Sequence, residues 1–299
     1  MATIGDFTDG SYIVWPKKTR EFHDHFFDSE GWNRFKFRDN DIIIATHQKS
    51  GTTWTQQIVS QLIFNGAEDK DVHALSPWID LRTLPPQMFD TLETQTHRRF
   101  VKTHLPVDAL LFSSKAKYIF IGRDGRDAVW SLFNHHVNST DAYLATFNLL
   151  RGTNDPAEFY HAWFEHDGFP YWPIWSNIRS WWDIRSLPNV KFVHFNDMKK
   201  DLARSIQEIA SFLDIETNHA TFDKIVEHCT FDYMKAHASQ MAPRGGIAWK
   251  DGAQTFINKG TNGRWRDSLG AADIAAYEAK ALAELGPECS QWLENGGKI

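Results

Sequence analysis

DIIIATHQKSGTTW, residues 41–54, joins an apolar run to a turn of small polar residues and then to a helical pattern. A short apolar run that ends in turn residues predicts a buried strand. Ser, Gly and Thr at the start of a helical pattern predict its N-terminus. A helix that begins in this way presents unpaired N–H groups and a partial positive charge to one point. The stretch therefore predicts a strand, an anion-binding loop and a helix in succession.

The loop offers five residues to an anion: Lys49, Ser50, Gly51, Thr52 and Thr53. Gly51 lets the backbone approach the ligand closely, the threonines add hydroxyl donors, and Lys49 adds a full charge. A strand–helix connection that is merely capped by serine and threonine is the alternative, and the pattern favours phosphate binding over it. The lysine precedes the glycine, whereas in the Walker loop it follows the second glycine. This order argues against Walker-type ATP chemistry.

Size and composition bound the class of protein. The 299 residues can form one large domain with a full core, and no linker divides them, so a single domain over 1–299 is predicted. The longest apolar runs are too short to span a bilayer, and the N-terminal MATIGDFTDG has no signal-peptide pattern. Cys229 and Cys289 lie far apart and suggest neither a disulfide framework nor a zinc site. These features predict a cytoplasmic protein without a membrane partner.

The net charge of −6 argues against nucleic-acid binding, which needs a dense basic surface. It leaves room for a local basic pocket that holds one small anion.

Three further runs read as buried strands, namely RFVKTH (99–104), KYIFIG (117–122) and VKFVHF (190–195). Helical patterns lie between and after them, at 53–64, 126–136, 196–215, 221–229 and 271–285. Strands that alternate with helices predict an α/β fold, with a central parallel sheet flanked by helices and a ligand at the carboxyl ends of its strands. The segments 65–98 and 137–175 are not assigned, and we expect lids or binding loops there.

Two other segments carry basic residues. Arg123 follows the strand at 117–122, and Ser131 lies on the next helix; arginine suits a phosphate that accepts two parallel hydrogen bonds. A solvated Arg–Asp turn is the alternative, and we expect it for Arg126. The segment FINKGTNGRWRD (256–267) is either a loop that closes over an anion or an exposed basic loop, and its charges are Lys259, Arg264 and Arg266.

Together these segments resemble the cytosolic sulfotransferase family. The similar elements are QKSGTTW (48–54), KTHLP (102–106), Arg123 with Ser131, WSNIRSWWDI (175–184), NDMKKD (196–201) and NKGTNGRW (258–265). The resemblance covers about residues 30–268, followed by a C-terminal helix at about 271–285. It implies a P-loop-like α/β fold with a parallel sheet of about five strands. It also implies transfer of a sulfonate from 3′-phosphoadenosine 5′-phosphosulfate (PAPS) to a hydroxyl or amine, with adenosine 3′,5′-bisphosphate as the product.

The resemblance also implies residue roles. It assigns the donor's 5′-phosphate to the loop of Lys49, Ser50, Gly51, Thr52 and Thr53. It assigns the 3′-phosphate region to Arg123, Ser131, Asn258, Lys259 and Gly260. Trp54 and Phe231 resemble the aromatic residues that pack on adenine, with Thr230 as a hydrogen-bonding neighbour; plain core packing is the alternative for the two rings.

Three residues resemble catalytic ones. His104 is similar to the family's general base, and histidine titrates near neutral pH. Lys102 shares a strand face with His104 because side chains alternate, so it could stabilise the sulfonate oxygens. Lys49 could donate to the bridging oxygen as the leaving group gains charge. No metal is predicted, and the histidines of HDH (23–25) and HH (135–136) read as solvated or core residues.

The sequence departs from the family's pattern at three positions. Gln48 replaces a proline, which predicts a modest change in loop stiffness. Asn258 replaces an arginine, so that either Arg264 or Arg266 compensates or the donor binds more weakly. Phe195 replaces a tyrosine and cannot donate to adenine.

Acceptor and oligomeric state are not fixed by these motifs. The aromatic residues Phe133, Phe169, Tyr171 and Trp172 hint at a small, flat, aromatic or apolar alcohol, and both a monomer and a homodimer fit. Two other classes of function are open: another nucleotide-dependent transferase, such as a small-molecule kinase, and a non-catalytic nucleotide-binding module.

Overall fold

A parallel sheet forms the centre of the computed structural model, which describes residues 13–299. Its strands are β1 (Ile42–Thr46), β2 (Phe100–Thr103), β3 (Lys117–Gly122) and β4 (Val190–His194), in the order β2-β1-β3-β4. All four predicted strands are confirmed to within two residues at each end. Over the described residues the sheet has four strands rather than about five. The polar stretch 1–10, for which no signal peptide is predicted, lies outside the described residues.

The register brings the carboxyl ends of the strands to one edge. Thr46 of β1 pairs with Ile121 of β3, and Gly122 pairs with His194 of β4. On the other side, Ala45 pairs with Thr103 of β2. The residues that follow these ends, in the loop after β1 and at positions 104 and 123, are therefore neighbours at one edge of the sheet.

Helices cover both faces of the sheet. In chain order they are α1 (Gly31–Arg34), α2 (Thr52–Ile63), α3 (Val72–Leu75), α4 (Gln87–Thr94), α5 (Gly125–Val137), α6 (Asp141–Thr146), α7 (Pro156–Glu165), α8 (Trp175–Trp182), α9 (Phe195–Lys200), α10 (Leu202–Phe212), α11 (His219–His228), α12 (Phe231–Ala236), α13 (Ala238–Met241), α14 (Ala253–Phe256) and α15 (Ala271–Asn295). Short 3-10 turns lie at Val107–Ala109, Pro243–Gly246 and Arg264–Asp267.

Alternation along β1 explains the two layers. Ile43 and Ala45 pack in one apolar cluster with α5, α7, α8 and α15. Ile42 and Ile44 pack in a second cluster with α2, α10 and α11. Successive side chains of a strand point to opposite faces, and both faces are covered by helices, so residues 42–45 of the strand are all apolar. The predicted α/β architecture is confirmed.

One predicted helix is wrong. The pattern at 196–215 forms two helices, α9 and α10, because Asp201 between them has φ −150° and ψ 89°, outside the helical region. The Asp201 carboxylate accepts a hydrogen bond from the N–H of Arg204 and so begins α10. Aspartate favours this capping role over a helix interior.

The segments without a sequence assignment are not bare loops. Residues 65–98 contain α3 and α4, and residues 137–175 contain α6 and α7. The helices α3, α4 and α6 have 4, 8 and 6 residues, too few turns for a clear periodicity in the sequence. No helix between residues 13 and 299 is both long enough and apolar enough to cross a membrane.

The C-terminal helix α15 packs against the carboxyl ends of β3 and β4. A side chain on Gly122 would meet the Trp292 ring at 2.3 Å, so the ring lies directly on the backbone there. Arg126 is fully buried, not solvated as expected, and donates to Asp124 (2.8 Å) and to Glu294 of α15 (2.8 Å). These contacts fix the chain around Arg123.

Candidate active site

A cavity of about 570 Å³ opens at the carboxyl edge of the sheet. Its wall combines the loop after β1, the end of β2, the face of α5, and the segment 256–264, with aromatic side chains around one end. The position agrees with the sequence prediction, because ligands of parallel α/β folds lie at this edge.

The loop after β1 has the backbone of an anion cradle. Gly51, at φ 116°, immediately precedes α2, and Lys49 also has a positive φ of 58°. A side chain at Gly51 would come within 3.1 Å of the Phe195 ring. The wall includes Lys49, Gly51, Thr52 and Thr53 but not Ser50, which is buried. The N–H groups of the first turn of α2 have no helical partner and are available to an anion.

Lys49 places a cation inside the cavity. Its Nζ lies 3.5 Å from Nδ1 of His135 and 5.1 Å from the centroid of the Phe256 ring. Burial, and then the charge of Arg123, lower the pKa of Lys49 to about 8. The amine is therefore charged at neutral pH, but its charge is easier to remove than that of a solvated lysine.

Arg123 ties two distant segments together. Its guanidinium donates to the carbonyl oxygen of Lys49 (2.8 Å) and to Oδ1 of Asn262 (2.7 Å), and it lies 4.1 Å above the Phe195 ring. Burial lowers its pKa to about 10. Arg123 thus joins the loop after β1 to the glycine-bearing segment near the C-terminus.

The segment 258–264 forms a second wall of the cavity. Lys199 donates to the carbonyl oxygen of Gly260 (2.7 Å), and the N–H of Gly263 donates to the Asp127 carboxylate (2.6 Å). Arg264 faces the cavity, whereas the guanidinium of Arg266 lies 4.2 Å over the Trp265 ring. Among the predicted residues, those in this part of the wall are Ser131, Asn258, Lys259 and Gly260.

Three aromatic residues flank the slot between these walls. Trp54 donates from Nε1 to the carbonyl oxygen of Cys229 (2.7 Å) and meets the Phe195 ring edge-on at 5.3 Å. Phe231 is 40% exposed and lies against Gly260, where a side chain would come within 2.7 Å. Thr230 does not line the cavity: its hydroxyl accepts from the Tyr233 N–H and caps α12.

His104 has a defined tautomer. Its Nδ1 lies 2.8 Å from the carbonyl oxygen of Thr46. A carbonyl oxygen can only accept, so Nδ1 carries the proton and Nε2 carries the lone pair. Trp78 and Trp172 enclose the ring at 4.8 and 5.1 Å between centroids. Burial lowers the pKa of His104 to about 3, so the imidazole is neutral at physiological pH.

Lys102 lines the cavity together with His104, as the alternation of β2 predicts. Its Nζ lies 3.5 Å from Nδ1 of His73. Burial and the neighbouring charge of Lys49 lower its pKa to about 8, while the Asp80 carboxylate acts in the opposite direction. Two ammonium groups therefore share one cavity with a neutral imidazole.

The end of the cavity near His104 is aromatic. Tyr171 and Trp172 line it as the sequence suggested, but Phe133 and Phe169 do not. Phe133 packs against Phe159 at 5.6 Å, and Phe169 is 58% exposed. Sequence reasoning missed most of this wall, because its residues come from separate segments without a shared motif: Phe26, Trp78, Tyr143, Phe147 and Trp249.

The histidines of the stretches HDH (23–25) and HH (135–136) lie in different surroundings. His135 lines the cavity beside Lys49, a position that the sequence did not indicate, whereas His136 is buried behind it. His25 contacts the carbonyl oxygen of Pro170 at 2.6 Å. Between residues 13 and 299 no three His, Cys, Asp or Glu side chains cluster as metal ligands do.

Comparison with known sequences points to one family. A sequence model described as the sulfotransferase domain matches residues 39–284. A glycolipid sulfotransferase of Mycobacterium bovis is 30% identical over 304 residues, which cover 90% of this chain and 92% of that protein. Sulfotransferase 1B1 of Canis lupus familiaris is 28% identical over 266 residues, which cover 86% of this chain and 87% of that protein.

Solved structures show the same fold. Mouse sulfotransferase SULT7A1, solved in complex with PAP, has a TM-score of 0.73 at 24% identity and covers 90% of this chain and 94% of its own. Retinol dehydratase, solved with androsterone and the inactive cofactor PAP, has a TM-score of 0.67 at 23% identity, with 86% and 83% covered. These likenesses confirm the fold that the motifs predicted.

Proposed function

The chain belongs to the sulfotransferase family, and on that premise we propose that it transfers a sulfonate group from PAPS to a hydroxyl or amine of a small-molecule acceptor. One observation carries the proposal: a single cavity joins the Lys49–Thr53 loop, the cations Arg123 and Lys259, and His104. Each of these segments alone has an ordinary structural explanation. An anion cradle, a second cationic cluster and a neutral imidazole in one space fit a doubly phosphorylated nucleotide and its transferable group.

The loop after β1 binds the donor's 5′-phosphosulfate in this proposal. Gly51 allows close approach, the free N–H groups at the start of α2 donate to phosphate oxygens, and Thr52 and Thr53 add hydroxyls. Ser50 contributes its backbone N–H, since its side chain is buried away from the cavity. Trp54, Phe195 and Phe231 hold the adenine ring, while the Thr230 hydroxyl is used as a helix cap.

The 3′-phosphate is bound by the second wall. Arg123, Ser131, Lys259 and Gly260 line the same cavity as Asn258, which brings no charge. Arg264 faces the same space and Arg266 does not. We therefore assign to Arg264 the compensation for the arginine that other family members carry at the position of Asn258.

Catalysis follows from the tautomer of His104. Its Nε2 lone pair takes the proton of the acceptor hydroxyl as the acceptor oxygen bonds to sulfur. The bond between sulfur and the oxygen that bridges to the 5′-phosphate breaks in the same in-line step, and Lys49 donates to that oxygen as it gains charge. Lys102 stabilises the sulfonate oxygens. The lysines and loop amides supply positive charge, so the proposal needs no metal.

The low pKa of His104 belongs to the cavity without its anion. A negative donor beside the ring favours the protonated form and raises the pKa. Binding of the donor thus moves His104 toward the range in which a general base works best. His104 is therefore a stronger base when the donor is bound, which is the state in which it takes the proton of the acceptor hydroxyl.

The acceptor in this proposal is a small apolar or aromatic molecule. The aromatic wall beside His104 supports it, because flat apolar ligands bury well against such rings. Among similar proteins, retinol dehydratase holds androsterone, an apolar alcohol, which supports this class, whereas a relative named glycolipid sulfotransferase points to a larger acceptor. We also propose that the protein acts in the cytoplasm, without nucleic-acid or membrane partners.

A transfer assay tests the function. Purified protein is incubated with PAPS labelled in its sulfonate and with a panel of phenols, alcohols and amines, without added metal. We expect labelled products that disappear in the His104→Ala variant. No transfer to any acceptor, with intact binding of adenosine 3′,5′-bisphosphate, would favour a nucleotide-binding module. Binding of magnesium-ATP in preference to the bisphosphate would favour a kinase.

A further inference from the structure

Two tyrosines of the acceptor wall each contact a histidine of α5. Tyr143 meets His135, and Tyr171 meets His136. The two pairs look alike, but the protons are arranged differently, because the second nitrogen of each imidazole has a different partner. That partner decides which ring nitrogen carries the hydrogen.

In the Tyr171–His136 pair, the hydroxyl hydrogen of Tyr171 is donated to the imidazole of His136. Nε2 of His136 lies 2.8 Å from the carbonyl oxygen of Leu150 and 2.9 Å from that of Arg151. Carbonyl oxygens only accept, so Nε2 carries the proton and Nδ1 is the acceptor. The Tyr171 hydroxyl, 3.1 Å from Nδ1, therefore donates to His136. Its hydrogen is not available to a ligand.

In the His135 pair the direction is reversed. Nδ1 of His135 lies 3.5 Å from Nζ of Lys49, and an ammonium group only donates. Nδ1 therefore accepts, and Nε2 carries the proton. Nε2 lies 3.3 Å from the Tyr143 hydroxyl, which accepts from it. The hydrogen of the Tyr143 hydroxyl is left without an acceptor within the part of the chain that the structure describes.

The Tyr143 ring is held in place. The Thr140 hydroxyl accepts from the Tyr143 N–H at the start of α6. The ring packs against Phe147 at 5.0 Å and Trp249 at 6.2 Å, and all three residues line the cavity. Burial raises the pKa of Tyr143, so the hydroxyl keeps its hydrogen. A fixed phenol with a free hydrogen is a hydrogen-bond donor toward the acceptor.

We propose that Tyr143 is a specificity-determining residue of the acceptor site, whose hydroxyl donates a hydrogen bond to an oxygen of the acceptor other than the reacting one. The inference rests on the proposed sulfonate transfer and narrows its substrates. The favoured class is an apolar or aromatic alcohol that carries a second oxygen as a carbonyl, ether or hydroxyl group. An acceptor without this oxygen leaves the Tyr143 hydrogen unpaired, which costs binding.

The test uses pairs of acceptors that differ only in that oxygen. Each phenol with a ketone or methoxy substituent, at the meta or para position, is matched with the analogue in which a carbon group replaces the oxygen. The ratio of kcat/KM within each pair is measured for the parent protein, Tyr143→Phe and Tyr171→Phe. Affinity for adenosine 3′,5′-bisphosphate, measured by calorimetry, checks that each variant is folded.

We expect the parent to prefer the oxygen-bearing member of at least one pair by about tenfold, a typical effect of a hydrogen bond between site and substrate. Tyr143→Phe removes this preference. Tyr171→Phe retains it, whatever its effect on the absolute rate, because its hydroxyl is already committed to His136. Equal ratios in the parent and Tyr143→Phe for every pair would overturn the proposal, as would loss of the preference in Tyr171→Phe alone.

Failure of the proposed transfer gives a different result. If no acceptor is sulfonated although the bisphosphate binds, the same pairs are titrated into bisphosphate-saturated protein and tryptophan fluorescence is followed. A binding ratio that Tyr143→Phe abolishes supports the role of Tyr143 even then. A ratio that is unchanged by the substitution, or no binding of any pair, overturns it.

Discussion

The two ends of the cavity are built in different ways. The donor end uses short contiguous stretches, the loop at 49–54 and the segment at 258–264, whose backbone groups and cations point into one space. The acceptor end uses single aromatic side chains from separate parts of the chain. Backbone recognition of an anion demands particular residues at fixed spacing, whereas an apolar wall demands only shape and size. His104 lies where the two ends meet.

The largest effect on turnover is expected at His104, where the two ends meet. His104→Ala should lower turnover about a hundredfold or more, as expected for a lost general base, with little change in bisphosphate affinity. Steady-state kinetics and calorimetry measure the two quantities separately. His161→Ala is the control, because that side chain is exposed and pairs with Asp273 away from the cavity. A normal rate in His104→Ala would remove this residue from the mechanism.

The pH dependence of the rate tests whether the charges of Lys49 and Lys102 are needed at the donor end. The pKa values of Lys49 and Lys102 are lowered to about 8, and a lysine is charged below its pKa and neutral above it. We therefore expect kcat/KM for PAPS, which reports the enzyme before the donor binds, to fall as pH rises above about 8, roughly tenfold per pH unit for each essential ammonium lost. Lys49→Arg should make the fall less steep, because arginine stays charged and only Lys102 still loses its proton near pH 8. A rate that is constant up to pH 10 would contradict this assignment.

The charge of Lys259, at the donor end of the cavity, should stabilise only the 3′-phosphate of the bound nucleotide. Lys259→Ala should weaken binding of adenosine 3′,5′-bisphosphate by about tenfold, the typical cost of one charged hydrogen bond. Its affinity for AMP should not change. Lys115→Ala is the matched control, since that lysine is largely exposed and pairs with Asp39. Parallel loss of both ligands in Lys259→Ala would place this lysine elsewhere in the site.

The smallest effect is expected at the acceptor end. Phe147→Leu removes part of one aromatic surface and should raise the acceptor KM about fivefold, as expected for a modest loss of apolar contact. Bisphosphate affinity should stay unchanged. If this substitution weakened nucleotide binding instead, the two ends would not be separate in function.

These differences explain what the sequence could predict. The four strands follow from local patterns, as does the strand–loop–helix order around Lys49–Thr53, and Arg123 and Lys259 line the cavity. Periodicity and motif matching failed where a local helix cap or a tertiary contact decides. Asp201 breaks a periodic helix, Arg126 is buried by α15, and Ser50 and Thr230 do not line the cavity.

The acceptor wall was the least predictable part. Trp78, Tyr143, Phe147 and Trp249 carry no spacing that relates them, and aromatic residues elsewhere in the chain form ordinary core. The tautomer of His135 depends on its contact with Lys49, which is 86 residues earlier in the chain. Such contacts depend on the closed fold and leave no mark in a local stretch of sequence.

The central claim is that the loop after β1 and the Arg123 and Lys259 cluster bind opposite ends of one doubly phosphorylated adenosine. Calorimetric titration of the purified protein with adenosine 3′,5′-bisphosphate and with AMP, without metal, tests it most directly. We expect the bisphosphate to bind at least about tenfold more tightly, because only it reaches both sets of cations. Equal affinity for the two ligands would contradict the account.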